Sequence, residues 1–392
     1  MHLFIRSILA VWLGVVGISF AESNFTESRF LYENRIPDGP AVLFGEISID
    51  GKAHPLMVDV GAEAVLIADS SIAAQYGAPM EETRIKYSNF KGWKYSIPAA
   101  TVGGLKFPAS VFPAYDLTSI RNSLGTGPFC ILGWEALKGK SLELDHDAGR
   151  FRIFEGPGDP PAGWITLPMT FEHNLPNIHA TLAGKEESWQ IDTGFNDTIM
   201  VSQANFERLV ADGFIRERNP GAVTRIGETR TMRTGYFNKG KLLGVDLAGL
   251  SVTTEPRDYD VLGMTFFRKM NLLISIEPSR FSYTLRKNPV PPISETIMMG
   301  IIFTYDKGQG VIERIRPGSN AEKLGLKPGD RVERIDELGD VPLDAFKMFD
   351  LCRKYAEKPV TLRIKRDGQP LTVPLPLTAL VDSWNRSPVP AK

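Results

Sequence analysis

Apolar residues come along this chain in short runs. Val42–Ile49, Leu56–Val60, Ala99–Val102, Val111–Ala114, Trp164–Leu167, Leu242–Val245 and Leu250–Thr253 are rich in Val, Ile, Leu, Phe and Thr, and each is closed by glycine, proline or polar turn residues. Such runs predict β-strands, and many in succession predict sandwiches or barrels. Helical patterning is confined to brief stretches such as Ser70–Tyr76 and Ser202–Ala211. Two stretches break both patterns, Gly156–Gly163 and Asn288–Pro292, and both have the Pro/Gly content of inter-domain linkers. They leave three segments, residues 40–155, 164–287 and 297–378. Ahead of them Arg6, the uncharged run Ile8–Phe20 and Ser19-Phe20-Ala21 read as an export signal cleaved after Ala21. The run is shorter than the roughly 20 residues a membrane span needs, so the mature protein is expected in the periplasm or secreted. Residues 22–40 offer a pro-segment.

The first two segments repeat four features in order. Met57-Val58-Asp59-Val60-Gly61-Ala62, followed by Val65-Leu66-Ile67, matches Gln190-Ile191-Asp192-Thr193-Gly194-Phe195, followed by Ile199-Met200-Val201. Cys130-Ile131-Leu132-Gly133 matches Asp260-Val261-Leu262-Gly263. The spacing from Asp to that glycine is 74 residues (133 − 59) in one copy and 71 (263 − 192) in the other. A short helix-like patch follows each glycine, Trp134–Leu137 and Met264–Phe267, and then a strand pair, Leu142–Phe154 and Leu273–Leu285. Matched order at matched spacing is the mark of an internal duplication.

Asp59 and Asp192 each end an apolar strand. A carboxylate there is costly unless it is hydrogen-bonded or shares a proton. The following Gly61 and Gly194 let backbone amides come close. Two such carboxylates face to face cannot both ionise easily, so one keeps a proton and a water between them can be activated. Asp192-Thr193-Gly194 after Trp189-Gln190-Ile191, with Val261-Leu262-Gly263 further on, resembles the active-site loop and supporting glycine element of the aspartic proteases. Asp59-Val60-Gly61 with Ile131-Leu132-Gly133 is similar, and the resemblance covers residues from about 40 to 287. It implies a mainly β fold of two retropepsin-like barrel lobes in tandem, in the retropepsin/pepsin-like family. It implies catalytic Asp59 and Asp192, with loop support from Val60, Gly61, Thr193, Gly194, Gly133 and Gly263. Two departures stand out. Val60 has the volume of Thr but no hydroxyl, and Phe195 replaces a small residue. Each lobe should cover its cleft with a hairpin, Tyr87–Trp93 in the first and Gly227–Gly235, carrying Arg230 and Arg233, in the second.

Residues 297–377 resemble a bacterial PDZ domain in the run Pro317-Gly318-Ser319-Asn320-Ala321, Leu324-Gly325-Leu326-Lys327-Pro328-Gly329-Asp330-Arg331-Val332. The resemblance implies a peptide-binding loop at Met298, Met299, Gly300 and Ile301, a strand at Gly310–Ile315, a flanking helix at Leu343–Tyr355 and a last strand at Val360–Lys365. Such a groove takes an extended peptide as an added strand and holds its terminal carboxylate. Met298 stands where the usual loop has glycine.

Charge is balanced, with Lys+Arg 45 against Asp+Glu 46, which leaves no electrostatic footprint for nucleic acid. Cys130 and Cys352 fall in different segments and read as buried free thiols. His54, His146, His173 and His179 have no metal-ligand spacing, so neither metal nor organic cofactor is expected. The leading expectation is an exported aspartic endopeptidase acting on polypeptides, whose PDZ domain holds a C-terminal peptide or partner. The alternative is a peptide-binding adaptor with a degenerate protease body. A dimer using one Asp per chain is disfavoured because this chain carries both halves.

Overall fold

The computed structural model describes residues 25–29, 43–85, 90–103, 105–124, 127–225, 228–256, 258–287, 297–306, 309–315, 319–339, 351 and 358–379. The export signal, most of the offered pro-segment and Cys352 lie outside them. The described chain is mainly β.

In the first segment the strands are β1 (Phe25–Arg29), β2 (Phe44–Ile49), β3 (Lys52–Asp59), β4 (Leu66–Asp69), β5 (Glu81–Arg84), β6 (Lys91–Ile97), β7 (Ala100–Val102), β8 (Leu105–Phe107), β9 (Ser110–Tyr115), β10 (Cys130–Gly133), β11 (Lys140–Asp145) and β12 (Arg150–Glu155). Helices α1 (Ser70–Ala73) and α2 (Thr118–Leu124) interrupt them. The second segment holds β13 (Ile165–Glu172), β14 (Leu175–Leu182), β15 (Lys185–Ile191), β16 (Ile199–Ser202), α3 (Gln203–Ala211), β17 (Ile215–Arg225), β18 (Glu228–Phe237), β19 (Lys241–Leu242), β20 (Val245–Asp246), β21 (Ser251–Glu255), β22 (Asp260–Leu262), α4 (Met264–Phe267), β23 (Met270–Ser275) and β24 (Arg280–Leu285). The C-terminal segment holds β25 (Ile297–Met298), β26 (Ile301–Asp306), β27 (Gln309–Ile315), α5 (Asn320–Lys323), β28 (Arg331–Ile335), β29 (Pro359–Arg366), β30 (Gln369–Pro376) and β31 (Thr378–Ala379).

The repeat seen in the sequence is a repeat of topology. Strands run β5-β6-β9-β4-β10-β3-β2 in one sheet and β17-β18-β21-β16-β22-β15-β14 in another. Directions match as well: β3–β10 and β15–β22 are parallel, β4–β10 and β16–β22 antiparallel, β4–β9 and β16–β21 parallel. In each copy, therefore, the strand bearing the Gly133 or Gly263 element is clamped between the strand that leads to the aspartate and the strand that follows it. The short helices after β4 and β16 are capped by a polar side chain at the strand end, Asp69 in one copy and Ser202 in the other.

The copies are not separate bodies. Strand β11 pairs antiparallel with β23, so β12-β11-β23-β24 runs into the second segment's sheet. Leu142 pairs with Ile274, Leu144 with Leu272, and Glu143 with Leu273 between them. Glu143 and Leu273 stand at the same distance beyond Gly133 and Gly263, so the register itself has local twofold symmetry. One apolar core, including Leu56, Leu142, Leu144, Trp189, Leu272 and Phe281, runs through both. β1 adds to the outer edge of this sheet through β12.

Three expectations need correction. Among the described residues no sheet closes on itself, so the expected barrels are open sheets joined at β11–β23. The run Leu242–Val245 is a tight hairpin, because Leu243 and Gly244 both adopt left-handed backbone. Ser70–Tyr76 is helical only to Ala73 and continues as turns. There Tyr76 is held by its hydroxyl, which bonds the Ile49 carbonyl and sits 2.6 Å from His54 Nε2.

Leu144 is fully buried on the joining strand. Leu144→Ala is expected to cost about 2–5 kcal/mol. Because the core is shared, denaturant unfolding should show both segments shifting together, read by Trp189 fluorescence and by a probe placed on β6. Separate shifts would contradict the shared core.

Candidate active site

Asp59 ends β3 and Asp192 follows β15, and the duplicated topology brings the two loops together. The carboxyl of Asp59 is hydrogen-bonded to that of Asp192. Asp59 Oδ1 accepts from Gly61 N at 2.8 Å, and Gly194 N of the other loop also bonds the Asp59 carboxyl. Asp192 Oδ1 accepts from Gly194 N at 2.9 Å and Phe195 N at 2.8 Å. Gln190 Nε2 lies 3.5 Å from Asp192 Oδ2. Each glycine has its reason across the interface. A Cβ on Gly61 would lie 2.4 Å from Asp192 Cγ, and one on Gly194 would lie 2.3 Å from Asp59 Cγ. Any side chain at either position would push the carboxylates apart.

Burial, and then the charge of Asp192, hold the Asp59 acid well above the usual carboxylate range, against the lowering effect of the amides of Gly61 and Gly194. Asp59 thus keeps its proton where an isolated carboxyl would be charged.

Beneath the pair, buried Thr193 crosses to the first loop. Its Oγ1 accepts from Val60 N at 2.9 Å and donates to Val58 O at 2.9 Å. Val60 occupies the equivalent place and is fully buried. Without a hydroxyl it cannot return those two bonds, so the cross-brace is one-sided. Gly133 and Gly263 sit behind the loops: a Cβ on Gly133 would lie 2.3 Å from Ala64 O, and one on Gly263 2.2 Å from Asp197 O. Both positions are closed to a side chain by loop backbone.

Apolar clusters flank the two loops. Ala62 and Phe90 pack with Met57, Tyr115, Phe129 and Ile131 on one side. Phe195, at the position equivalent to Ala62, packs with Met200, Met232, Val261 and Tyr259 on the other. The bulk of Phe195 is therefore turned into this cluster and against Gly263, where a Cβ would meet its Cδ1 at 2.5 Å. The expected covering hairpins are β5–β6 and β17–β18. In the first, Tyr87, Ser88 and Asn89 lie outside the described residues, while Phe90 packs on Tyr115 at 6.1 Å between ring centroids. In the second, Arg233 is paired with Glu217 and Glu207 and lies over Phe206. Arg230 is on β18.

The matched positions Cys130 and Asp260 carry different chemistry, which the sequence match did not show. Cys130 and Asp260 hold equivalent places on β10 and β22. Asp260 accepts from Ser202 N at 2.7 Å and Asn205 Nδ2 at 2.6 Å, anchoring α3, yet burial raises its acid. Burial, with Asp69 nearby, pushes the Cys130 thiol up to about 12, so this free cysteine is inert. The histidines are dispersed: His54 bonds Tyr76, His173 stacks near Tyr259, and His179 lies between Glu172 and Glu186. Among the described residues no three His, Cys, Asp or Glu side chains gather into a metal site.

In the C-terminal segment, Met299 and Ile301 are buried in a separate core. Met298 pairs with Thr378, and Gly300 takes a left-handed backbone, where a Cβ would lie 2.3 Å from Ser319 Cβ. Strand β26 follows at the edge of a five-stranded sheet whose order is β26-β27-β28-β29-β30. The Gly329-Asp330 step gains its meaning from Arg366, which bonds both oxygens of buried Asp330 at 2.7 Å. Of the expected flanking helix only Leu351 is described, buried in that core; the rest lies outside the described residues.

No protein-family model matches the chain. Over 80 residues, 20% of its length, the chain is 34% identical to the protease RseP of Yersinia pestis. The match spans 17% of that protein.

Two outcomes are expected at the pair. Thr193→Val should destabilise the protein by about 1–3 kcal/mol, because it strands the Val60 N–H and the Val58 carbonyl, whereas Val60→Thr should leave stability unchanged or raise it. Thermal unfolding of both variants checks this. An acid whose pKa is raised by folding adds stability below its unfolded pKa, near 3.9, and loses it as pH rises through the folded value. Asp59→Asn should thus unfold at a higher temperature than wild type at about pH 7, and the gap should close below about pH 4. A gap independent of pH would contradict the raised Asp59.

Proposed function

We propose that this chain is an exported aspartic endopeptidase of the two-lobed, retropepsin/pepsin-like kind, with a C-terminal PDZ-like domain that binds peptide. The observation that carries the reading is the hydrogen-bonded pair Asp59–Asp192 at the junction of two topologically identical units, each carboxyl cradled by glycine amides. The partial similarity to a protease agrees with it but stays short of an activity for the whole chain.

The chemistry follows from one proton shared by two like-charged groups. Asp59 carries that proton and Asp192 is the base. A water between them gives a proton to Asp192 as its oxygen attacks the peptide carbonyl. Asp59 donates its proton to the carbonyl oxygen, yielding a neutral gem-diol. Return of a proton to the amide nitrogen then releases the two peptide products. The apolar clusters beside Ala62 and Phe195 give side chains on both sides of the scissile bond an apolar surround.

A rival reading has a specific observation behind it. The one-sided brace at Val60 is what a site released from catalytic duty would tolerate, which favours a peptide-binding adaptor.

Incubation of the secreted form with a mixed peptide library decides between them. Asp59→Asn and Asp192→Asn should each lower cleavage at least about a thousandfold while the fold persists. No cleavage by the wild type at any pH would favour the adaptor. Since the reaction needs the shared proton, kcat/KM should fall as pH rises through the raised Asp59 value, and again in acid once both carboxyls are protonated. A rate that climbs steadily from about pH 5 to about pH 9 would contradict the mechanism.

A further inference from the structure

One tyrosine ties the first covering hairpin to the loop of Asp59. Tyr115 ends β9, which pairs with β6 as far as Trp93 and Ala114, and this sets Tyr115 beside Gly92. Gly92 in turn pairs with Thr83 on β5. The Tyr115 hydroxyl shares a hydrogen bond with the Thr83 side chain. Neighbouring strands are about 4.8 Å apart, so a side chain that starts on β9 and bonds on β5 has to lie across β6. Gly92 is what allows the crossing. A Cβ there would lie 2.3 Å from Tyr115 Cδ1 and 2.6 Å from its Cε1.

The same ring belongs to the cluster that carries the aspartate loop. Buried Tyr115 packs in one cluster with Met57, two residues before Asp59, and with Ala62, whose N–H bonds the Asp59 carbonyl at 3.1 Å. The second copy meets the same need differently. Ala114 and Thr254 are equivalent, as are Trp93 and Arg233 that pair with them, so Met232 stands in the place of Gly92 and Glu255 in that of Tyr115. Met232 is buried in the cluster beside Phe195. There the hairpin's own strand supplies the apolar filling. In the first copy the filling comes from the neighbouring strand and ends in a directional bond.

We infer that Tyr115 is a positioning residue for peptide binding. By gripping β5 and β6 through Thr83 and Gly92 it fixes the first hairpin against the Asp59 loop, and so sets how tightly a peptide is held there. The inference rests on the protease reading of the carboxyl pair. Apolar packing is non-directional and tolerates sliding, whereas a hydrogen bond weakens steeply as its angle changes. The Tyr115–Thr83 bond thus fixes the angle between hairpin and sheet. Without it the ring stays packed but the hairpin is free to tilt. A peptide held between hairpin and aspartates then loses grip in the ground state and the transition state alike, which raises KM with little change in kcat.

The test breaks the bond from either end in the full chain. Tyr115→Phe keeps the ring, Thr83→Val keeps the shape, and a double variant combines them. Amide hydrogen exchange is followed over β5–β6 and, as a control, over β17–β18. Each single variant should speed exchange in the first hairpin about five- to tenfold, the scale of one hydrogen bond, and leave the second unchanged. Because both remove the same bond, the double variant should exchange no faster than the quicker single one. Thr83→Ser, which keeps the hydroxyl, should behave as wild type. On a cleaved peptide the bond-breaking variants should raise KM by a similar factor, with kcat within about twofold of wild type. Unchanged exchange, equal acceleration in both hairpins, or additive effects overturn the anchor. Faster exchange with unchanged KM overturns its role in holding peptide. If the wild type cleaves no peptide, the protease reading falls by itself, and the exchange series still decides whether Tyr115 anchors the hairpin. Should Tyr115→Phe fail to fold, the Thr83 variants decide.

Discussion

Two carboxyl groups hydrogen-bonded to each other cannot both be charged, and much of the surrounding structure serves to keep them together. Gly61 and Gly194 are glycines because each lies where a Cβ would strike the opposite aspartate. Amides of both loops point at the acids, and Thr193 ties the backbone of one loop to that of the other. The sheets then fix the loops. Strands β10 and β22 hold the glycines behind them, and β11–β23 locks the copies in twofold register. The shared core makes this arrangement cooperative: the pair stays assembled as long as the core does.

The copies have diverged at several equivalent places around the aspartate loops. The second keeps the polar fittings: Thr193 in the brace, Asp260 holding the start of α3, Gln190 close to Asp192. In the first, apolar or softer groups stand in the equivalent places, Val60 and Cys130. The brace survives because one hydroxyl can both accept and donate, so Thr193 alone satisfies the amide of Val60 and the carbonyl of Val58.

The duplication was legible because it was written in local patterns: an apolar run, Asp, Gly, and a later apolar-apolar-Gly at matched spacing. Helix α4 at Met264–Phe267 and the strand pairs after each glycine were legible for the same reason. Open rather than closed sheets were not, since closure depends on which edges meet, and no single segment encodes that. Leu242–Val245 looked like a strand because composition is blind to the left-handed Leu243. From its volume alone Phe195 was only a departure from a small residue. Its direction, into the Met200–Met232–Val261 cluster, depends on neighbours distant in sequence.

The central claim is that Asp59 and Asp192 hold one proton between them and act on a tetrahedral carbon. The most direct test is calorimetric binding of a peptide whose scissile carbonyl is replaced by a secondary alcohol, measured over a range of pH in buffers of different ionisation enthalpy. A tetrahedral mimic should bind much more tightly than the matching substrate. Tight binding is expected without net proton uptake where the free pair already holds its proton, with uptake growing as pH rises through the raised Asp59 value, and Asp192→Asn should lose the tight binding. Proton uptake that does not change with pH, or equal binding by the Asp192→Asn protein, would contradict the shared proton.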